Sequence, residues 1–245
     1  MRVATRRAIL GAMYVTLFLA LVVAGAAQAA PERQLPAAPG RLLSAVPGRL
    51  LSAVPGRLLS AAPGLDPVVL EAALARAACA RAEGALPADA PPVLAVIDYS
   101  LPSTDARLWV FDLEAGALLF HERVAHGQGT GEDLAVAFSN RPNSHQSSLG
   151  LFRGGEVYTG QHGTSLRLYG LDPGVNDRAA ERAIVVHGAP YVSEDFITRN
   201  GRLGRSWGCP AVSTEVAPAL VQTLAGGAVL YAWHPSMGAP VACRG

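Results

Sequence analysis

Two residues of this sequence, a cysteine and an upstream histidine, have the types and settings that covalent chemistry requires. Cys209 follows glycines at 201, 204 and 208 and precedes Pro210. Glycine disfavours regular helices and strands, and proline interrupts a strand ladder, so this run predicts a tight turn that presents the thiol. A nucleophile for acyl transfer needs a reachable sulfur and backbone N–H groups that hold an oxyanion. We expect Gly208 and Cys209 to supply those N–H groups.

The expected base is His187. It ends the apolar run Ala183–His187, whose β-branched residues predict a buried strand, and Gly188 then lets the chain turn away. The histidine precedes Cys209 by 22 residues, which is enough for a loop that returns to the same edge of a sheet. An imidazolium there would lower the pKa of the thiol, and Ser206 is the candidate group to orient the other ring nitrogen. A buried cysteine and a strand-capping histidine without chemistry remain the alternative.

Several short motifs together resemble one known family. The run Ile184–Gly188 followed by Ser206–Cys209 resembles the L,D-transpeptidase catalytic domain of the YkuD type. Over about residues 92–235 the sequence resembles the murein L,D-transpeptidase branch of this family. The motifs that carry this resemblance are Val124–Gly127, Phe138–Asn140, Ser147–Gly150, Tyr158–Gly163, Gly170–Leu171, Asn176–Asp177 and Gly204–Pro210. The resemblance implies a mainly β fold, a sandwich or barrel with a few short helices, which follows an N-terminal helix. It also implies a site that acts on peptidoglycan stem peptides, with Cys209 as nucleophile, His187 as base and Ser206 as orienting group, and with Gly208 in the oxyanion hole.

Two positions depart from the commoner pattern of that family. Trp207 stands where the pattern has a second histidine, and Ala211 stands where it has an arginine two residues after the cysteine. Arg205 is the candidate for the missing cation, because a guanidinium can grip a carboxylate through two hydrogen bonds. Together with Trp207, Tyr158 and His162, it forms the expected substrate-binding set.

The N-terminus carries the pattern of an export signal. Arg2, Arg6 and Arg7 precede an apolar stretch from Ala8 onward, and Ala27-Gln28-Ala29 is a cleavage pattern. We therefore predict a signal peptide over residues 1–29, no membrane span after its cleavage, and export to the periplasm or cell envelope. A retained membrane anchor is the alternative. The remaining chain has 17 basic and 19 acidic residues, a net charge of −2, which gives no support for nucleic-acid binding.

The next segment, residues 30–65, is of low complexity. The run Pro-Gly-Arg-Leu-Leu-Ser-Ala begins at Pro39, Pro47 and Pro55. A Pro-Gly pair every eight residues predicts a linker without a stable helix. Either a tether that binds a partner or a linker without a partner fits this composition.

A helix and then a β-rich domain are predicted after the linker. Asp66 followed by Pro67 is typical of a helix start, so residues 66–91 are expected to form a helix and a connector. Its apolar stripe is predicted at Leu70, Leu74, Ala77 and Ala78, with Cys79 facing away. Residues 92–245 form the expected catalytic domain. Its predicted strands are Val93–Asp98, Leu108–Leu113, Ala117–Ala125, Gly155–Tyr158, Leu166–Leu171, Ala183–His187 and Val229–Trp233, and its one late helix is Ser213–Leu224.

The other two cysteines suggest a disulfide. An exported domain meets an oxidising compartment, and a catalytic thiol at Cys209 must stay free, so Cys79 and Cys243 are the natural pair. No HExxH or CxxC pattern occurs among the histidines and cysteines, so no metal site and no cofactor are predicted.

The motifs favour a cysteine-dependent acyltransferase, a peptidoglycan L,D-transpeptidase of the cell envelope. It would form a thioester with the stem peptide and transfer it to an amine. Water as acceptor, which would make the protein an L,D-carboxypeptidase, is one alternative. An inactive peptidoglycan-binding module is another.

Overall fold

The computed structural model describes residues 54–238 and Cys243. These residues belong to one compact unit. The predicted signal peptide and the first two repeats lie outside the described residues. None of the helices between residues 54 and 238 is long and apolar enough to cross a membrane.

Eight strands form one sheet, which is the frame of the protein. In chain order they are β1 Val93–Asp98, β2 Ala106–Asp112, β3 Ala117–Arg123, β4 Gly150–Gly160, β5 Gly163–Gly170, β6 Val185–Gly188, β7 Ala211–Val212 and β8 Val229–Trp233. Across the sheet they are ordered β3-β2-β1-β8-β4-β5-β6-β7. Ala125, just beyond the edge strand β3, pairs with Ala211 in the opposite edge strand β7, so the sheet curls into a nearly closed barrel. The predicted mainly β fold is confirmed.

The two faces of the sheet are covered by different helices. Four helices are described: α1 Val54–Ala61, α2 Pro67–Ala82, α3 Glu194–Asn200 and α4 Ala217–Leu224. Side chains alternate between the faces along a strand. In β1, Ile97 therefore packs in the cluster that contains Leu220 of α4, whereas Val96 packs in the cluster that contains Val69 of α2.

Helix α2 begins as its sequence predicts, but it buries a different face. The Asp66 side chain accepts a hydrogen bond from the Val68 N–H at 2.8 Å, as a helix cap does. The predicted stripe is wrong at Ala78, which is exposed, and Cys79 is buried instead. Arg76 lies on the buried face too, with 8% of its surface exposed. Its Nε donates to Asp172 Oδ1 at 2.7 Å, so an ion pair buries a charged side chain that a purely apolar stripe leaves out.

The segment before α2 was predicted to be a linker, and for residues 54–61 this prediction is wrong. The third repeat forms helix α1, and its Leu58 is fully buried. An isolated helix of this length is unstable in water, so packing against the sheet supplies the stability that the local sequence lacks.

A disulfide ties α2 to the end of the chain. Cys79 and Cys243 are bonded, with their Cα atoms 5.1 Å apart. Among the described residues Cys209 is the free cysteine.

Candidate active site

One cleft of about 640 Å³ gathers the residues that the sequence singled out. Its lining includes seven of them: Tyr158, His162, His187, Arg205, Ser206, Trp207 and Cys209. Gly208, the eighth, is buried within the turn that carries the thiol. Residues that the sequence did not single out also line the cleft, among them Gln161, Arg182, Ala183, Val185 and Tyr191.

Strand pairing brings the histidine and the cysteine together. β6 lies between β5 and β7, and His187 is paired with Ser165 on one side and with Ala211 on the other. Ala211 is two residues beyond Cys209, so the thiol turn enters β7 beside the end of β6. The predicted loop that returns from His187 to the same edge of the sheet is present.

The thiol turn is held by a glycine and a serine. Gly208 has φ +116°, and a Cβ on it would stand 2.7 Å from the Gln146 carbonyl oxygen, so only glycine fits without strain. The Ser206 hydroxyl donates to the Cys209 carbonyl at 2.6 Å and accepts from the Gly208 N–H at 3.0 Å.

These hydrogen bonds correct the expected role of Gly208. Its N–H is already bonded to Ser206 and is not free for an oxyanion. The hydrogen bonds of residues 54–238 leave the N–H of Cys209 without an acceptor. Of the two residues expected to form the oxyanion hole, Gly208 and Cys209, only Cys209 therefore has a backbone N–H that can donate to an oxyanion.

The expected role of Ser206 is also corrected. The Nδ1 atom of His187 is bonded to the Gly188 carbonyl at 2.9 Å, and the Ser206 carbonyl accepts from Gln128 N–H at 2.8 Å. No hydrogen bond among the described residues joins Ser206 to His187. A carbonyl can only accept, so Nδ1 carries the proton and Nε2 presents a lone pair. This is the form of histidine that can take a proton from a thiol.

The thiol lies between two backbone groups at the start of β6. Sγ of Cys209 is 3.7 Å from the Ala183 carbonyl oxygen, to which the thiol donates. Burial raises the pKa of the Cys209 thiol above its ordinary value of 9.0, and a hydrogen bond from the Val185 N–H and the charge of Arg182 lower it in part. Burial therefore favours the neutral thiol at this position.

His187 is neutral as well at neutral pH. Burial lowers its pKa below 6.5, the Gly188 carbonyl raises it, and the charge of His162 lowers it further. Burial thus disfavours the charged forms of both side chains, and the thiolate–imidazolium pair stays a prediction. A neutral base and a neutral thiol that line one cleft remain a competent arrangement, in which the proton moves as the sulfur attacks.

Arg182 is the cation that the sequence analysis missed. Its Nη1 donates to the Ser139 carbonyl at 2.6 Å and to the Ser148 hydroxyl at 2.5 Å, and its Nη2 donates to the Gln146 carbonyl at 2.5 Å. These bonds hold the guanidinium behind Gly208, beside the thiol. Because no arginine follows the cysteine, the sequence indicated that another residue supplies the positive charge. The sequence around Arg182 has no feature that distinguishes it from the other arginines.

Arg205, the cation that the sequence favoured, has an acidic partner already. Its Nη1 is 2.7 Å from Glu132 Oε1 and 2.9 Å from the Gly131 carbonyl. Glu132 also pairs with Arg202 at 2.9 Å. Arg205 lines the cleft, but its guanidinium is already engaged by a carboxylate that it shares with Arg202.

Ala183 has an unusual backbone conformation next to the thiol. Its φ is +53°, in the left-handed region that L-residues other than glycine seldom adopt, at a cost of about 1–2 kcal/mol. The sequence analysis placed Ala183 in a regular strand, and β6 begins only at Val185. The left-handed turn directs the Ala183 carbonyl towards Cys209.

Aromatic rings form the walls of the cleft. Trp207 is 71% exposed and stacks on His145, with ring centroids 5.0 Å apart and planes 5° apart. On the other side His162 stacks on His187, and the guanidinium of Arg167 lies 5.0 Å from the ring centroid of Tyr158.

His126, which precedes a glycine as His187 does, has a different setting. Its Nδ1 accepts from Nη2 of the fully buried Arg107 at 2.8 Å, and its Nε2 is 3.1 Å from the Glu132 carbonyl. Burial and the charge of Arg107 lower the pKa of His126 to about 4. The ring is therefore neutral, and both of its nitrogens are occupied.

Comparison with known proteins identifies relatives of the chain. Residues 61–233 match the family described as L,D-transpeptidase catalytic domain, YkuD_2. No curated protein matches the chain significantly.

Solved structures of L,D-transpeptidases also match, at low identity. An L,D-transpeptidase from Mycobacterium smegmatis is 15% identical, with a TM-score of 0.37 and coverage of 59% of each chain. One from Mycobacterium tuberculosis is 16% identical, with a TM-score of 0.35 and coverage of 59% of this chain and 58% of that one. One from Xylanimonas cellulosilytica is 16% identical, with a TM-score of 0.33 and coverage of 81% of this chain and 100% of that one. The chain spans about three fifths of the length of the mycobacterial structures.

Proposed function

Because the chain belongs to the L,D-transpeptidase catalytic domain family, we propose that it is a peptidoglycan L,D-transpeptidase whose nucleophile is Cys209. One observation carries the proposal. The free thiol of Cys209 and the imidazole of His187 line a single cleft, and the hydrogen bond of His187 to Gly188 leaves Nε2 as a proton acceptor.

The first half of the reaction is acylation. His187 Nε2 takes the thiol proton as Sγ of Cys209 attacks the stem-peptide carbonyl that follows the L-centre of a diamino acid. The Cys209 N–H stabilises the oxyanion of the tetrahedral intermediate. The C–N bond then breaks, His187 returns the proton to the amine of the departing D-alanine, and a thioester remains.

The second half transfers the acyl group. An amine of a neighbouring stem attacks the thioester carbonyl and loses a proton to His187. The C–S bond breaks, a new amide forms, and the proton of the imidazolium restores the thiol of Cys209. The cycle is of the ping-pong type and consumes no cofactor.

The same proposal fixes where the protein acts. Its substrate is part of the cell envelope, and the N-terminal pattern of basic residues, apolar stretch and Ala27-Gln28-Ala29 supports export. The aromatic walls around Trp207 and Tyr158 supply the surface against which a stem peptide would lie.

Mass spectrometry of the protein with a disaccharide-tetrapeptide tests the proposal. We expect a covalent adduct at Cys209 that has lost D-alanine, followed by a cross-linked dimer of the muropeptide. The Cys209→Ser variant should form no adduct, because an alcohol is a weaker nucleophile than a thiol and gives up its proton less readily. A tripeptide product without any dimer would instead identify water as the acceptor, and the absence of any adduct would indicate a binding module.

A further inference from the structure

Helix α1 is one copy of a repeated sequence. The run Pro-Gly-Arg-Leu-Leu-Ser-Ala occurs at residues 39–45, 47–53 and 55–61, and the three copies are identical. The third copy makes up all of α1 except its first residue, Val54. The catalytic domain thus holds a segment whose sequence is present twice more in the same chain.

The groove that holds α1 is formed by the outer face of the sheet and by α2. Leu58 is fully buried in an apolar cluster with Trp109, Phe111 and Val69. The carbonyl of Pro63, just after the helix, accepts a hydrogen bond from Trp109 Nε1 at 3.1 Å. The side chain of Arg57 covers Gly116, where a Cβ would come within 2.6 Å of Arg57 Cδ. The groove therefore contacts the arginine and the first leucine of the repeat and the Pro-Gly pair that follows it.

We propose that this groove is a binding site for the repeat itself, and that the second copy, residues 47–53, can occupy it in place of the third. The second copy offers the same arginine and leucine, Arg49 and Leu50. A Pro-Gly pair also follows it, so the carbonyl of Pro55 can take the position of the Pro63 carbonyl. Exchange between the two copies changes the length of chain that precedes the bound helix by eight residues.

The residues after each copy explain why the third copy occupies the groove. Leu65, which follows the third copy, is 6% exposed, whereas Arg57 stands at the equivalent position after the second copy. Binding of the second copy also lengthens the connection to α2 from residues 62–66 to residues 54–66. Because closure probability falls with the 3/2 power of length, this change disfavours the second copy about fourfold. The third copy is thus preferred, but the second remains within reach.

Thermal unfolding of leucine variants of the full chain tests the exchange. All variants carry Leu42→Asp, which removes the first copy from the competition. In this background Leu50→Asp should leave Tm unchanged, because the third copy still fills the groove. Leu58→Asp should lower Tm by about 5 °C, because the second copy takes over at the cost of the longer connection and of the buried contact that Leu65 makes after the third copy. The double variant, with aspartate at positions 50 and 58, should have a Tm lowered by about 10 °C, because no copy can then fill the groove.

The proposal predicts that the loss of Tm in the double variant exceeds the sum of the losses in the two single variants. If Leu58→Asp lowers Tm as much as the double substitution does, the second copy does not enter the groove and the proposal is wrong. The same cycle with Leu→Ala at positions 50 and 58 serves if the aspartate variants do not fold. Sedimentation velocity of the Leu58→Asp protein should show a monomer at every concentration. A Tm that rises with concentration together with dimer formation would mean that the occupant comes from another molecule, which would overturn the proposed exchange within one chain.

Discussion

The imidazole ring of His162 stacks on that of His187, with ring centroids 4.4 Å apart and planes 26° apart. Gln161 Nε2 lies 3.1 Å from His162 Nε2, so the stacked ring is itself held in place. The stack fixes the plane of His187, and the charge of His162 lowers the pKa of His187. A second histidine next to the base therefore helps to keep that base neutral.

Replacing His162 should move the acidic limb of the pH profile. Since activity requires neutral His187 and the charge of His162 lowers its pKa, His162→Phe keeps a ring in the stack but raises the pKa of His187. The acidic limb of kcat/KM should move to higher pH. His121→Phe is the matched control, because His121 stacks on Trp109 away from the cleft, at 5.1 Å. An unchanged limb in His162→Phe would contradict the electrostatic role.

Arg182 should control the acidity of the thiol. Its positive charge lowers the pKa of Cys209, so Arg182→Gln should shift the iodoacetamide alkylation profile to higher pH, while Arg182→Lys should shift it less. Arg205→Gln serves as control, because Arg205 is paired with Glu132. Equal shifts in the Arg182→Gln and Arg205→Gln proteins would refute the assignment, whereas a lower Tm alone would not support it.

Removing the Ser206 hydroxyl should disturb the turn but not the base. Ser206→Ala leaves the Gly208 N–H and the Cys209 carbonyl unpaired, which should cost about 1–3 kcal/mol of stability and lower kcat. The acidic limb of kcat/KM should stay in place, because Ser206 makes no hydrogen bond to His187. Urea unfolding and a pH profile measure the two effects. If the acidic limb moves in the Ser206→Ala protein, Ser206 orients His187 after all, as the sequence suggested.

The protein purified from the cell envelope should contain one free thiol. Thiol titration under denaturing, non-reducing conditions, with peptide mapping, should place that thiol at Cys209 and the disulfide between Cys79 and Cys243. The double variant with alanine at 79 and 243 should lose about 2–4 kcal/mol of stability but keep its thioester chemistry. Three titratable thiols would rule the bridge out.

Local sequence was enough for the features that depend on local chemistry. The first strand, Val93–Asp98, and the last, Val229–Trp233, have the predicted bounds, because apolar runs between turn residues mark strands directly. The glycine-rich run around Cys209 likewise predicted a turn, and φ at Gly208 requires one. That His187 and Cys209 would line one cleft followed from a single loop returning to the same edge of a sheet.

Features that depend on distant contacts were beyond the sequence. Arg182 lies behind the thiol because serine and backbone groups from residues 139–148 surround its guanidinium, and no spacing rule encodes that enclosure. The direction of the Ser206 hydroxyl was decided by the sharp turn at Gly208, which brings its N–H within reach. Helix α1 forms because Leu58 finds a groove, so tertiary packing overrides the weak tendency of eight residues to form a helix.

The Cys79–Cys243 bond has a consequence for how the protein withstands cleavage of its backbone. All eight strands lie between these two cysteines, so the sheet and the cleft belong to a covalently closed ring. A single cut inside the ring leaves every fragment attached until the disulfide is reduced. A cut before Cys79 severs the covalent link to what precedes it, and helix α1 then stays on the sheet only through noncovalent packing such as that of Leu58.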